Sequence, residues 1–397
     1  MPSDFILQGI QYPKALASIE DTMTIVEGLI NLGVFLIGLV IVAFTLFSAI
    51  RMVVLPRGDN VWLTRTTFRL VYGCFLVRLR RINNYEQADR VLAFYAPVAL
   101  LIIPVVWMVL AIAGFTCMFW AVGEHPWSKA FLLSGSSMLT LGFAAVDSTV
   151  ETILAFLAAT VGLGIVALLI AYLPTMYGAF SKREEAVTLL EVRAGTPPSA
   201  ITMIQRYQRI HNLERMPEQW AIWEQWFAEL EESHTTFAAL AFFRSPQPYR
   251  SWITASAAVL DSAALAVSTL DIPRQPDADL CIRAGYLALR RIADLYMIPY
   301  NATPHADDPI SITRADFDQA CAELIASGVP LKADRDQAWR DFAGWRVNYD
   351  QVLIELAKLV TAPPAPWTGE RPLPLCFNMP RFGHKRRQLA KEPTGSM

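Results

Sequence analysis

Residues 140–145 read Thr-Leu-Gly-Phe-Ala-Ala, and this order of residue types suits the binding of a dehydrated cation. Such a cation needs a cage of oxygen atoms, which successive backbone carbonyls and the Thr140 hydroxyl can supply. Consecutive carbonyls point the same way only when the backbone alternates in handedness, and Gly142 permits this at little strain. Phe143 would pack behind the loop as a spacer. The pattern predicts an ion-binding loop formed by Thr140, Leu141, Gly142, Phe143 and Ala144.

This loop ends a short apolar segment that begins near Pro126 and lies between two longer apolar runs, at 92–122 and 149–180. The segment predicts a helix from Pro126 to about Thr140, which is too short to cross a bilayer. Backbone carbonyls that accept no helical hydrogen bond are tolerated at membrane depth only where protein buries them or where they line a cavity. The layout therefore predicts a re-entrant helix and loop between two membrane spans.

The composition favours a membrane protein with a soluble C-terminal part. Of the 397 residues, 54% are hydrophobic, and the excess lies mainly before residue 181. The net charge of −2 argues against nucleic acid as a partner. The five cysteines and five histidines are scattered, so neither a zinc site nor a catalytic cluster is indicated. We therefore expect no cofactor and no enzymatic activity.

Three spans are predicted, at 25–50, 91–122 and 149–180. The arginines between the first two mark the cytoplasmic side, and the apolar residues among them predict an amphipathic helix on that membrane surface. These arginines are Arg51, Arg57, Arg65, Arg69, Arg78, Arg80, Arg81 and Arg90. We expect a protein of the plasma (inner) membrane whose N-terminus is outside and whose C-terminal domain is cytoplasmic.

The C-terminal part predicts amphipathic helices, including segments near 279–298, 313–327 and 334–361. Trp220, Trp223, Phe227 and Leu230 fall at helical spacing and predict a buried core face. The apolar run at 252–270 predicts a buried helix, because a span would place Asp261 inside the membrane at high cost.

Residues 92–183 resemble the pore domain of the potassium-channel superfamily, in the order outer helix, pore helix, filter and inner helix. The family filter reads Thr-(Val/Leu/Ile)-Gly-(Tyr/Phe)-Gly-Asp; residues 140–143 match it, and Ala144 and Ala145 depart from it. The resemblance implies a homotetramer in a lipid bilayer whose permeating ion is K+ or Na+. Holding Ala144 at positive φ would cost roughly 1–2 kcal/mol, so the outer half of the filter should differ in shape and strict potassium selectivity is not implied.

Two acidic residues follow the loop, and two interpretations of them stay open. Asp147 and Glu151 could form rings of negative charge that concentrate cations at the pore mouth. They also suit the start of a helix, with Asp147 or Ser148 as the cap and Glu151 in the first turn, and this second interpretation is the favoured one, although one residue can serve both roles.

The inner helix carries the candidate hinge and gate. Gly162 and Gly164 lie mid-span and suit either a gating hinge or close helix packing. Pro174 would bend the helix near its cytoplasmic end. Ile170, Leu173 and Tyr177 share one face there, which predicts a hydrophobic constriction that gates by dewetting.

The predicted fold is an all-α membrane protein with three transmembrane helices, a re-entrant pore helix and a helical cytoplasmic domain. Its segments are an external N-terminus and first span (1–55), a basic amphipathic linker (56–90), a pore domain (91–183), a helical regulatory domain (184–362) and a disordered tail (363–397).

The predicted function is a homotetrameric cation channel gated by the inner helix and the cytoplasmic domain. That domain would serve assembly, sensing of a small molecule or docking of a protein. The alternative is a non-conducting membrane anchor or sensor, in which the re-entrant segment only packs and residues 200–360 are the working part. A membrane enzyme is a distant third.

Overall fold

The computed structural model describes residues 14–53, 62–82, 84–123 and 126–368, with side chains from residue 23 onward. Within these ranges the chain is all-helical, apart from one isolated β-bridge between Leu270 and Leu331. Its α-helices are α1 (Lys14–Val53), α2 (Trp62–Leu79), α3 (Tyr85–Leu92), α4 (Tyr95–Val122), α5 (Trp127–Met138), α6 (Thr149–Ala194), α7 (Ala200–Arg209), α8 (Met216–Thr236), α9 (Trp252–Ser268), α10 (Pro276–Leu295), α11 (Arg314–Ala326), α12 (Arg335–Arg346) and α13 (Asp350–Leu359). The predictions for residues 1–13, for Arg57 and for the tail beyond 368 lie outside the described residues.

Three helical segments are long and apolar enough to cross a membrane, as the sequence predicted. They are Met23–Val53, Tyr85–Val122 and Thr149–Ala194. In their apolar windows, only 17%, 39% and 22% of the residues are buried within the chain. The remaining apolar surface needs a cover of lipid or of other protein, which is the behaviour of membrane helices.

The second span, predicted at 91–122, consists of two helices, α3 and α4. A turn at residues 93 and 94 separates α3 from α4. Because α4 begins at Tyr95, Pro97 lies in its first turn, where the missing N–H costs no intrahelical hydrogen bond. Pro97 therefore suits the start of α4, whereas Pro104 lies inside the helix.

The described helices divide into two compact units. Described residues up to 50 and from 104 to 170 form the first unit, and those from 51 to 103 and from 171 onward form the second. Each candidate span therefore contributes to both units. The described part of the predicted linker at 56–90 lies within the second unit.

In the first unit, α1 packs against α4 through small residues. A Cβ atom built on Gly38 would lie 2.4 Å from the carbonyl oxygen of Gly114, so the two backbones approach too closely for a side chain. The Trp107 indole N–H donates to the Ser48 hydroxyl at 3.2 Å. The first span thus packs directly on the second.

The core of the second unit, which we call the helical unit, is built around α9. This helix is buried along almost its whole length. Helices α7, α10, α12 and α13 pack against it. Asp261, in the middle of α9, is 1% exposed and forms a salt bridge with Arg346. This confirms that the apolar run around Asp261 is a buried helix of a helical unit.

The predicted aromatic stripe of α8 is also part of this core. Trp220, Trp223, Phe227 and Leu230 are each at most 3% exposed. The Trp220 indole N–H donates to Gln275 Oε1 at 2.9 Å, so its polar atom is satisfied inside the core.

Residues 334–361, predicted as one helix, form α12 and α13 with a break at 347–349. The side-chain amide of Asn348 donates to the carbonyl oxygens of Gly344 at 3.0 Å and Trp345 at 3.2 Å. It thereby satisfies carbonyls at the end of α12 that would otherwise lack donors. A side chain of this kind can end a helix that apolar periodicity alone would continue.

Candidate functional site

The short helix α5 carries the predicted ion-binding loop. It starts directly after Pro126, as the sequence predicted, and ends at Met138. The Leu141 N–H donates to the Ser136 carbonyl at 2.8 Å, which closes the helix end. The chain leaves α5 as a loop that begins at Thr140.

The backbone of this loop alternates in handedness at its first three residues. The angle φ is +54° at Thr140 and +70° at Gly142, and Leu141 between them does not take a positive φ. Ala144 does not take one either, as its steric cost predicts. The alternation therefore covers Thr140 to Gly142 and does not extend to Ala144.

The Thr140 hydroxyl donates to the carbonyl oxygen of Leu139 at 2.8 Å. Its own oxygen keeps lone pairs that can accept a hydrogen bond or coordinate a cation. The hydroxyl oxygen can therefore still accept, and its role as a cation ligand stays a prediction.

Ser136 supports the second half of the loop from inside α5. Its hydroxyl oxygen accepts hydrogen bonds from the backbone N–H groups of Phe143, at 3.1 Å, and Ala144, at 3.2 Å. The residue is only 2% exposed. Sequence reasoning missed Ser136; the available signal was a serine inside an apolar helix, where its hydroxyl needs a partner.

The apolar side chains of the loop are uncovered within one chain. Leu139 is 47% exposed, Leu141 59% and Phe143 62%. Phe143 therefore does not pack behind the loop of its own chain, and a spacer role requires a neighbouring copy. One loop by itself cannot surround a cation, so an oxygen cage would need several copies of the loop.

The two acidic residues after the loop differ in their surroundings. Glu151 is 2% exposed, and its Oε2 accepts the Asp147 N–H at 2.8 Å, while its own N–H donates to Ser148 Oγ at 3.2 Å. This is close to a capping box, and it favours the helix-start interpretation for Glu151. The Asp147 carboxylate is exposed and lies 2.5 Å from the ammonium of Lys129, which offsets its charge.

The two mid-span glycines also differ. A Cβ atom built on Gly162 would lie 1.9 Å from the carbonyl oxygen of Met138, whereas one built on Gly164 would meet nothing within 4 Å. The structure therefore favours the packing interpretation for Gly162, which lets α6 approach the end of α5. Gly164 remains the candidate hinge.

We expect Gly162→Ala to lower the melting temperature of the purified full-length protein. The added methyl group meets backbone that cannot move away cheaply, and overpacking of this kind costs about 1–3 kcal/mol. Gly164→Ala is the matched control and should keep or raise the melting temperature, because alanine favours helix and the space is open. Equal melting temperatures for the two variants would contradict the packing role.

The predicted gate residues lie on the uninterrupted helix α6. Ile170 is 67% exposed, Tyr177 is 66% exposed, Pro174 is exposed and Leu173 is half-buried. Ile170, Leu173 and Tyr177 follow helical spacing, so they share a face that a single chain leaves largely uncovered. The helix continues through Pro174 to Ala194.

Arg183 anchors the far end of α6 to the helical unit. Its guanidinium donates to the carbonyl oxygens of Leu240 at 2.9 Å and Phe243 at 2.8 Å, and it pairs with Glu184 at 2.8 Å. The residue is 4% exposed. The sequence does not reveal these contacts, because carbonyl partners 57 and 60 positions away leave no local pattern.

His234 completes this cluster. Its Nε2 lies 3.2 Å from Arg183 Nη1 and its Nδ1 lies 2.9 Å from the Leu230 carbonyl oxygen. Since arginine only donates, Nε2 accepts and the proton of the neutral ring is on Nδ1. Complete burial, reinforced by the charge of Arg183, lowers the pKa of His234 well below 6.5.

We expect the protein to lose stability as the pH falls below about 6.5, where an unfolded histidine takes up a proton. The folded state keeps His234 neutral, so the unfolded state binds more protons and unfolding becomes easier by up to about 1.4 kcal/mol per pH unit. His234→Gln, which still accepts from Arg183, should flatten this dependence of the melting temperature. The exposed His305→Gln control should not. An unchanged slope in His234→Gln would contradict the assignment.

Within the described residues, no group of three or more histidine, cysteine or acidic side chains is arranged to hold a metal ion. Comparison with known proteins adds no identity: no family model, no curated protein and no solved structure matches the chain. The function is therefore inferred from the geometry of the loop, of α5 and of α6.

Proposed function

We propose that this protein is a homotetrameric cation channel whose filter is the loop Thr140-Leu141-Gly142-Phe143. The observation that carries the proposal is the backbone of that loop, with positive φ at Thr140 and Gly142. The loop follows a helix of 12 residues and lies between two segments able to span a membrane. Alternating handedness aims successive carbonyls toward one side, as an oxygen cage for a dehydrated ion requires.

Four chains are needed because one loop cannot enclose an ion. The exposed Leu141, Phe143, Ile170 and Tyr177 give each chain apolar surface at the loop and along α6 that neighbouring copies can cover. Closed rotational symmetry places the same loop four times around one axis. In the proposed assembly the permeating ion is K+ or Na+, and the departure at Ala144 makes potassium selectivity weaker than in the family that the loop resembles.

Gating is proposed to act through α6. The face containing Ile170, Leu173 and Tyr177 would form the constriction, with Pro174 beside it and Gly164 as the hinge. The same helix continues to Arg183, whose hydrogen bonds join it to the helical unit. A change in that unit can therefore reach α6 without any intermediate segment.

The deciding experiment is cation flux from liposomes that contain the purified full-length protein. K+ and Na+ flux should be measurable, and Thr140→Ala and Gly142→Ala should abolish it. Gly135→Ala is the matched control, because Gly135 lies within α5 with open space around it, and it should conduct normally. Light scattering should give four chains per particle; a dimer without cation flux would overturn the proposal.

The alternative of a non-conducting membrane sensor is favoured by one observation. Two open clefts of about 420 and 520 Å³ lie in the helical unit and share Ser311 in their linings. Both linings mix polar and apolar side chains: the first includes Asn301 and Ile310, and the second includes Asp316 and Trp367. If ligand binding there survives Thr140→Ala while wild-type protein shows no flux, the sensor interpretation is correct.

A further inference from the structure

Helix α2 lies beside the ends of two candidate spans. Its Phe68 and Tyr72 rings contact the Tyr95 ring edge to face, with centroids 6.0 and 5.1 Å apart. Its Thr64 hydroxyl contacts the sulfur of Met52 at 3.7 Å. Met52 belongs to the first candidate span and Tyr95 to the second, so these contacts join α2 to both spans.

The opposite face of α2 is apolar and uncovered. Trp62 is 59% exposed, Leu70 68% and Val77 64%. Their spacings of eight and seven residues are close to two helical turns each, so the three side chains form one stripe about 22 Å long. A helix with one packed and one exposed apolar face needs a second apolar environment.

Basic side chains accompany this stripe. Helix α2 contains no acidic residue. Arg78, Arg80 and Arg81 are exposed and Arg69 is half-buried, and none of them forms a salt bridge with a carboxylate in the described part of the chain. The surface therefore combines exposed apolar side chains with positive charge that no carboxylate offsets. This combination is typical of interfacial helices on anionic membranes.

We propose that this face of α2 binds the membrane leaflet, with Trp62, Leu70 and Val77 among the acyl chains. Arg78, Arg80 and Arg81 bind the phosphates of anionic phospholipids. A lipid leaflet fits better than a protein partner, because it is already present at the ends of the spans and supplies both an apolar layer and negative charge. The proposal is independent of whether the chain conducts ions.

The test measures how much lipid the full-length protein retains when it is titrated in neutral detergent with phosphatidylglycerol or phosphatidylcholine. Wild type should prefer phosphatidylglycerol. The triple variant Arg78→Gln, Arg80→Gln, Arg81→Gln should bind phosphatidylglycerol roughly a hundredfold more weakly, because each arginine near an anionic surface contributes about a factor of five. The pair Leu70→Ser and Val77→Ser should reduce retention of both lipids.

The matched control replaces three exposed arginines elsewhere, Arg209, Arg283 and Arg340, with glutamine. It should bind like wild type. The proposal is overturned if both triple variants bind phosphatidylglycerol equally, or if wild type does not prefer it to phosphatidylcholine. It is also overturned if the α2 variants change only the number of chains per particle, since the face would then contact a second copy.

Discussion

We expect Arg346→Ala to unfold the helical unit at temperatures where wild type stays folded, with a loss of about 3–5 kcal/mol in the free energy of unfolding. Arg346 is completely buried between two carboxylates, Asp261 and Asp350. Burial disfavours its charge, but the two carboxylates more than offset this and raise its pKa. Removing the guanidinium leaves two buried negative charges without their cation, which explains the size of the expected effect.

The rest of the network shows why no neighbour can substitute for Arg346. The Tyr349 hydroxyl donates to Asp261 at 2.9 Å, and the Ser311 N–H donates to Asp350 at 2.8 Å. Arg346 also donates to the Trp367 carbonyl oxygen at 2.6 Å. The arginine therefore joins α9, the start of α13 and the segment after α13, while its neighbours supply only neutral donors.

The measurement is thermal unfolding of the full-length protein, followed by near-ultraviolet circular dichroism and by limited proteolysis. Arg340→Ala is the control, because Arg340 is exposed on the same helix and contacts only Gln337 among the described residues. Adding Asp261→Asn to Arg346→Ala should recover part of the loss, since it removes one uncompensated charge. If Arg346→Ala has the same melting temperature as wild type, the network does not hold the unit together.

The second large effect is expected at the loop, and it rests on the proposed channel function. Ser136→Ala should reduce cation flux at least about tenfold, because the N–H groups of Phe143 and Ala144 lose their shared acceptor. A partly buried donor left unpaired costs about 1–3 kcal/mol, enough to shift the loop away from the conformation that aims its carbonyls. Flux from proteoliposomes measures the loss, and light scattering must show the same number of chains per particle.

Ser137→Ala is the matched control for Ser136→Ala. Ser137 is the next residue in α5, and it accepts from the Thr140 N–H through its backbone carbonyl, which alanine retains. Its variant should conduct like wild type. Normal flux from Ser136→Ala would show that the hydroxyl does not position the loop; absence of flux from wild type would instead reject the channel itself.

The residues around the loop show how far a sequence pattern reaches. Three features follow from local sequence: helix α5, the start of α6 at Thr149 and the burial of α9. Apolar runs, proline positions and a charge inside an apolar segment are enough to predict them. The sequence left two roles open for Glu151, since an acidic residue there suits a helix start and also a pore mouth. The hydrogen bond from the Asp147 N–H to the Glu151 carboxylate can be seen only when the turn between the loop and α6 is known.

By itself the sequence determined an all-helical chain with three candidate membrane helices, because long apolar runs and helical periodicity are properties of neighbouring residues. The tertiary structure alone decided which groups meet. The salt bridge of Asp261 with Arg346 joins positions 85 residues apart, and Ser136 reaches N–H groups seven and eight residues later by a reversal of the chain. The physical reason is that buried polar groups take partners wherever packing brings a donor to an acceptor, and that meeting depends on how the helices cross.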